Sequence, residues 1–121
     1  MIQKIHSSLF YAHNLNNTAS FYKKLGFPIQ SSKDAVRIQL GGFTLTFIDE
    51  NTTLIKNESG AQPKGLGMFT YIKVENVDKY FQFLQKQKIP TSSEPRDWPW
   101  GKREFVAKDP DGYKLVFYSP I

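Results

Sequence analysis

The sequence predicts an α+β domain made of tandem βαβββ repeats, which form a curved mixed sheet around a concave cavity with the helices outside. The main observation is an internal duplication, because the segment 14–28 is repeated at 76–90, an offset of 62 residues (76 − 14). The segment 42–47 returns at 112–117, an offset of 70 residues (112 − 42). Repetition at about half the chain length indicates two copies of one supersecondary unit.

The first copy reads as a strand, a helix and further strands. Residues 4–12 are rich in β-forming side chains and predict the first strand. Asn14 is a suitable N-cap for a helix with regularly spaced apolar residues, and Gly26 is a suitable residue to end it. Three more strands are expected, at 28–32, 35–40 and 42–48, the last two joined by a Gly-Gly turn.

The second copy follows the same order. Asn76 takes the N-cap position, and apolar residues at i, i+3, i+4 and i+7 predict an amphipathic helix that Pro90 prevents from continuing. Strands are expected at 68–74, 91–94, 103–108 and 113–119. A polar stretch with Gly and Pro separates the copies. The predicted organisation is one domain, 1–121, with a first module at 1–50, a linker at 51–67 and a second module at 68–121.

Composition limits the classes of function. A chain of 121 residues has the length of one domain. Its net charge is +5, but the basic residues are scattered, which indicates a solvated surface and no nucleic-acid partner. The absence of cysteine excludes disulfides, thiolate ligands and a cysteine nucleophile. A chain without cysteine and without an apolar N-terminal targeting segment is expected to be cytoplasmic, and since no segment approaches membrane-spanning length we expect no membrane partner.

Three motifs carry a resemblance to a known family. Residues 14–26 read N-L-x5-F-Y-x2-L-G, and residues 99–105 read P-W-G-x-R-E-F, followed by D-P-D-G at 109–112. Together they resemble the vicinal oxygen chelate superfamily, which includes glyoxalases, bleomycin resistance proteins and dioxygenases, over almost the whole chain. The P-W-G-x-R-E-F motif is similar to the bleomycin-resistance branch in particular. The resemblance implies a homodimer that binds a small molecule in pockets at its interface.

Enzymes of this superfamily hold a divalent ion with His and Glu side chains, and the resemblance places those four positions near Ser7, Thr46, Phe69 and Val116. Phe and Val offer no donor atom, and Ser and Thr hydroxyls are poor metal ligands. We therefore expect no metal, no cofactor and no catalytic residue. The alternative is a metal-dependent glyoxalase- or dioxygenase-type enzyme with an atypical site that uses His6 or Glu50. A regulatory or interaction module with a vestigial cavity is a third possibility.

Strand alternation separates the cavity-facing residues from those under the helices. The resemblance implies that Trp100 stacks on a planar ligand, and Trp98 would add a second ring. Lysine ammonium groups in the cavity would orient an anionic group of that ligand. The expected function is sequestration of a planar aromatic compound. The remaining expected ligand-binding residues are Ser7, Leu9, Tyr11, Thr46, Phe69, Tyr71, Lys73, Lys114, Val116 and Tyr118.

Overall fold

The computed structural model describes residues 1–51 and 63–121. The chain divides into two compact units, Met1–Pro63 and Lys64–Ile121. The elements of the first unit are β1 (Ser7–Ala12), α1 (Leu15–Leu25), β2 (Gln30–Ser31), β3 (Ala35–Leu40) and β4 (Phe43–Asp49). Those of the second are β5 (Phe69–Lys73), α2 (Val77–Lys86), β6 (Arg96–Asp97), β7 (Lys102–Lys108) and β8 (Lys114–Pro120). The predicted α+β class with two βαβββ modules is confirmed.

Each unit has one four-stranded mixed sheet, and the two sheets have the same topology. The strand orders are β1-β4-β3-β2 and β5-β8-β7-β6. The β1–β4 and β5–β8 pairs are parallel, and the other neighbours are antiparallel. Ser7 pairs with Thr44 in the first sheet, and Phe69 pairs with Lys114 in the second. These positions differ by 62 (69 − 7) and 70 (114 − 44), so the repeat offsets of the sequence match the strand register.

The helix starts are duplicated as predicted. Asn14 and Asn76 have extended backbones (φ −142° and −141°), and their side chains accept hydrogen bonds from backbone amides three residues on, at 3.0 and 3.1 Å. Such caps satisfy amides that have no partner within the helix. Helix α1 ends at Gly26, whose left-handed conformation (φ 99°) favours glycine. Local polar chemistry therefore fixes where both helices begin.

An aromatic core joins each helix to one face of its sheet. In the first unit, the ring of Phe47 lies 5.0 Å from Phe10 and 4.9 Å from Tyr22, measured between centroids. In the second unit, Phe117 lies 4.9 Å from Tyr80 and 5.4 Å from Phe105. These strand residues are buried, as the predicted alternation requires. The opposite face of each sheet is turned away from that unit's own helix.

Two strands differ from the predictions by more than two residues. Strand β1 begins at Ser7 and not at residue 4. The short strand expected at 91–94 is not formed, and β6 lies at Arg96–Asp97 instead. The segment keeps one backbone bond to β7, from the Ser92 amide to the Val106 carbonyl at 2.7 Å, but the Val106 amide donates to Ser93 Oγ, at 3.0 Å, and not to a backbone carbonyl. A serine hydroxyl that accepts a hydrogen bond from a strand amide can hold a segment against β7 without forming a regular strand.

The linker expected at 51–67 falls largely on residues 52–62, which lie outside the described residues. The module boundaries at 1–50 and 68–121 therefore stay predictions. Neither α1 nor α2, the helices within the described ranges, is long and apolar enough to cross a membrane.

Candidate functional site

The open face of the second sheet, defined as the side turned away from α2, carries a group of aromatic rings. Strand alternation and cross-strand pairing place Phe69, Tyr71 and Tyr118 on this face. The alternate strand residues point to the helix, as shown by Phe105, whose ring lies 5.2 Å from Phe81 of α2. The expected ligand-binding positions of β5 and β8 thus lie together on one surface of one unit.

Several of these rings retain free surface. Phe69 is 54%, Tyr71 48% and Trp100 53% exposed. Tyr71 also contacts Tyr118 in an edge arrangement, with ring centroids 5.9 Å apart. Large half-exposed rings on one sheet face provide contact area for a flat partner, at low entropic cost because each ring has only two rotatable side-chain bonds.

The two tryptophans form a stacked pair beside this face. Their ring centroids lie 4.8 Å apart, and the planes differ by 12°. A tight turn positions them, because the amide of Trp98 donates to the Lys102 carbonyl at 2.9 Å and that of Gly101 to the Trp98 carbonyl at 3.1 Å. Gly101 has φ 83°, which other residues rarely adopt. The Arg96 guanidinium lies 4.0 Å from the Trp98 centroid. Trp98 therefore contacts Arg96 and Trp100 and supports the more exposed ring.

A buried carboxylate joins two of the rings. Glu104 is 6% exposed, and its two oxygens accept hydrogen bonds from Tyr71 Oη and Trp100 Nε1, both at 3.3 Å. Burial raises the pKa of the Tyr71 phenol above its usual value of 10.0, and the charge and hydrogen bond of Glu104 raise it further. The phenol is therefore protonated at neutral pH and remains a hydrogen-bond donor.

Basic side chains surround the rings. Lys102 Nζ lies 5.3 Å from the Tyr118 centroid and 5.9 Å from that of Tyr71, and Lys114 Nζ lies 5.2 Å from that of Phe69. These distances fall within cation–π range. Among the described strand residues of this face, Glu104 is the one acidic side chain. The pairing places the basic ones here too: Lys73, Arg96, Lys102, Lys108 and Lys114.

Arg96, Lys102 and Glu104 were not among the residues predicted for the site. For Lys102 and Glu104, the sequence does contain a signal. Once Phe105 is assigned to the core, alternation places Lys102 and Glu104 on the opposite face of the same strand. Arg96 has no comparable signal, because its strand of two residues is too short for a periodic pattern.

The other predicted residues divide between the two units. Ser7, Leu9, Tyr11 and Thr46 belong to the first unit, where Leu9 pairs with Thr46 on the sheet face turned away from α1. Leu9 is 56% exposed. In the second unit, Val116 is only 2% exposed, whereas Lys73 is exposed. All of these stay predictions as ligand contacts.

The residues at the positions implied for a metal do not fit one. Phe69 and Val116 carry no donor atom. Glu50, which belongs to the alternative hypothesis, lies 2.7 Å from His13, measured from Oε1 to Nδ1. Across residues 1–51 and 63–121, no three His, Asp or Glu side chains come together as a possible metal site.

A surface hollow of about 450 Å³ lies elsewhere in the second unit, at the start of α2. Its lining consists of Val74, Glu75, Asn76, Lys79 and Tyr80. None of these is a predicted ligand-binding residue, and the ring in its lining, Tyr80, is half-buried against Phe105 and Phe117 of the core. We therefore place the candidate site on the open face, where the rings and the basic groups coincide.

Solved structures with the same fold are numerous, and three illustrate their range. A hypothetical protein from S. aureus is 24% identical, with 98% of this chain and 94% of that chain covered and a TM-score of 0.79. A lactoylglutathione lyase from Agrobacterium tumefaciens is 19% identical, with coverages of 97% and 93% and a TM-score of 0.74. A bleomycin-binding protein solved with bleomycin is 20% identical, with coverages of 99% and 100% and a TM-score of 0.70.

At these identities the structural similarity shows the fold alone. Comparison with curated protein sequences gave no match. The sequence pattern of one family, however, matches residues 4–117, which is nearly the whole chain. The chain therefore belongs to the glyoxalase/bleomycin resistance protein/dioxygenase superfamily.

Proposed function

We propose that this protein binds and sequesters a planar aromatic small molecule that carries negative charge, in a pocket at the interface of a homodimer. The observation that carries the proposal is the coincidence of half-exposed rings and basic groups on the open face of the second sheet. Phe69, Tyr71 and Trp100 supply the rings, and Lys102 and Lys114 lie beside them.

The rings favour a flat aromatic ligand. Trp100 is stacked on Trp98 and is still 53% exposed, so ring surface remains for a ligand. An aromatic pair in such an arrangement contributes about 0.5–1.5 kcal/mol beyond the area that it buries. The bleomycin-binding protein with the same fold is solved with its ligand bound, which supports ligand binding as an activity of this chain.

The charges favour an anionic ligand. Basic side chains outnumber Glu104 on this face, and that carboxylate is buried with both oxygens engaged by ring donors. A cationic ligand would meet like charge here, whereas an anionic one would be attracted and oriented. The net charge of +5 acts in the same direction at longer range.

A second copy of the chain would cover the exposed rings. Surfaces with contiguous large aromatic groups commonly lie at interfaces, and a two-fold pair would present the same surface from both subunits. Light scattering after size-exclusion chromatography tests this part. We expect about twice the chain mass of 13.9 kDa, and a mass of one chain would remove the dimer from the proposal.

Isothermal titration calorimetry with 2-naphthoate, a planar aromatic anion, tests ligand binding. We expect saturable binding that weakens about tenfold in Trp100→Ala, since a stacking contact of this size is lost. Phe83→Ala is the matched control, because Phe83 is 39% exposed but lies on α2, on the other side of the sheet. Absence of binding by the unaltered protein, or equal weakening in both variants, would refute the proposal.

A further inference from the structure

Glu104 differs from the other charged groups of the open face because it is buried. It is 6% exposed in the middle of β7, and it pairs across the sheet with Tyr118. In the first sheet, the residue equivalent to Tyr118 is Ile48, at the offset of 70 (118 − 48), and Ile48 pairs with Ala35. Ala35 is therefore the equivalent of Glu104 in the first copy. The first copy therefore has a methyl group where the second has a carboxylate. A carboxylate without partners is costly to bury, so the contacts it makes have to compensate.

The contacts of Glu104 connect rings from different elements. Tyr71 lies on β5, which is separated from β7 by β8, and Trp100 lies in the turn before β7. Each ring donates one hydrogen bond to a different oxygen of the carboxylate, at 3.3 Å. Both distances are at the long end of the hydrogen-bond range, so each bond is modest by itself, and what the two share is a common anchor for rings from different elements.

Orientation of these rings matters because both are about half exposed, at 48% for Tyr71 and 53% for Trp100. An exposed ring without an anchor samples several rotamers, and a ligand that stacks on it must then stop that motion. Ordering one such side chain weakens binding by about two- to tenfold. A side chain that fixes two rings in the free protein removes that cost before the ligand arrives.

We propose that Glu104 is a positioning residue of the ligand site, which holds Trp100 and Tyr71 in the orientation that a planar ligand requires. This inference rests on the proposed function. Glu104 itself need not touch the ligand, since both of its oxygens already accept hydrogen bonds from the rings. Glutamine at this position keeps the shape but offers one acceptor oxygen, so it can serve only one of the two donors.

The test compares Glu104→Gln with Glu94→Gln, which removes the same charge from an exposed position in the loop before β6. The first readout is the indole N–H resonance of Trp100 in the ligand-free protein, assigned with Trp98→Phe. The second is the affinity for 2-naphthoate by calorimetry. Tyr71→Phe is a further variant that removes one donor and leaves the carboxylate intact, so the test survives if Glu104→Gln does not fold.

We expect Glu104→Gln to shift the indole resonance and to weaken 2-naphthoate binding about two- to tenfold. We expect Glu94→Gln to change neither and Tyr71→Phe to weaken binding by a smaller factor. An unchanged indole resonance would overturn the inference, and so would a shifted resonance with unchanged affinity. Failure of the proposed function would give a different result. The unaltered protein would not bind 2-naphthoate, whereas the indole resonance would still differ between the unaltered protein and Glu104→Gln.

Discussion

Replacing Lys102 with methionine tests the charge preference of the open face. The Lys102 ammonium lies 5.3 Å from the Tyr118 centroid and 5.9 Å from the Tyr71 centroid, so it lies above the area where a planar ligand would stack. Methionine keeps most of the aliphatic side chain and removes the charge. The variant therefore separates the electrostatic contribution of the lysine from its packing.

The expected loss of binding free energy follows from the distance between the ammonium and the ligand carboxylate and from the effective dielectric constant around them. A ligand carboxylate about 5 Å from the ammonium would gain about 0.8 kcal/mol at the dielectric constant of water and about 3 kcal/mol at an effective value near 20. Lys102 is half-buried and the face is open to solvent, so screening favours the lower end, at about 1 kcal/mol. We expect Lys102→Met to weaken binding of 2-naphthoate about fivefold.

Calorimetric titrations with 2-naphthoate and with neutral 2-naphthamide distinguish charge from shape. The unaltered protein should prefer the anion, and Lys102→Met should reduce that preference without changing the affinity for the amide. Added salt should reduce the preference in the same way. Lys86→Met is the control, because it removes an equal charge from the exposed end of α2. Equal affinities for both probes in the unaltered protein would refute the charge argument.

Three further predictions concern stability, measured by urea unfolding. Asn76→Ala should lower the free energy of unfolding by about 1 kcal/mol, because the N-cap hydrogen bond at 3.1 Å is lost. The Arg103 hydrogen bond lowers the pKa of the Asp78 carboxyl below 3.8, so the stability from this pair is present above that pH and is lost as pH falls through the folded-state pKa. Asp78→Asn should therefore be less stable than the unaltered protein at pH 6, with the difference shrinking as pH falls through the folded-state pKa of Asp78. Gly65→Ala should be strongly destabilising, because its Cβ would collide with the Gly112 carbonyl oxygen.

Two of these predictions have a matched control variant. Asn14→Ala removes the equivalent cap of α1, at 3.0 Å, and should have a similar effect on stability. Gly41→Ala places a side chain at positive φ with no atom within 4 Å of the Cβ, so it measures backbone strain without the collision. Equal losses in Gly65→Ala and Gly41→Ala would contradict the steric argument. A pH-independent difference between Asp78→Asn and the unaltered protein would contradict the ion-pair argument.

Much of the fold could be predicted because its determinants are local in the sequence. Both helix starts depend on one asparagine side chain and an amide three residues on, and the Gly41-Gly42 turn depends on two positive φ angles. The duplication adds the strand register, since its two offsets recur in the β-sheet pairing. The strand predicted at 91–94 was wrong because the Ser93 hydroxyl accepts the hydrogen bond of the Val106 amide in place of a backbone carbonyl. No periodic pattern in the sequence indicates such a side-chain bond.

The candidate site was less accessible to sequence reasoning. Alternation places Phe69, Tyr71 and Tyr118 on one face, because period-2 patterns are a property of a single strand. The contact of Glu104 with Tyr71 depends on two strands that are not neighbours, separated by 33 positions in the chain. Convergence of that kind depends on the packed geometry of the sheet, and periodicity carries no information about it.

The most direct test of the proposed site is a map of amide and indole chemical-shift changes when 2-naphthoate is added to the isotopically labelled protein. We expect changes at the Trp100 indole and along β7 and β8, with little effect at the hollow beside Asn76. Changes confined to that hollow, or no changes at saturating 2-naphthoate, would contradict the claim that the open face of the second sheet binds planar aromatic anions.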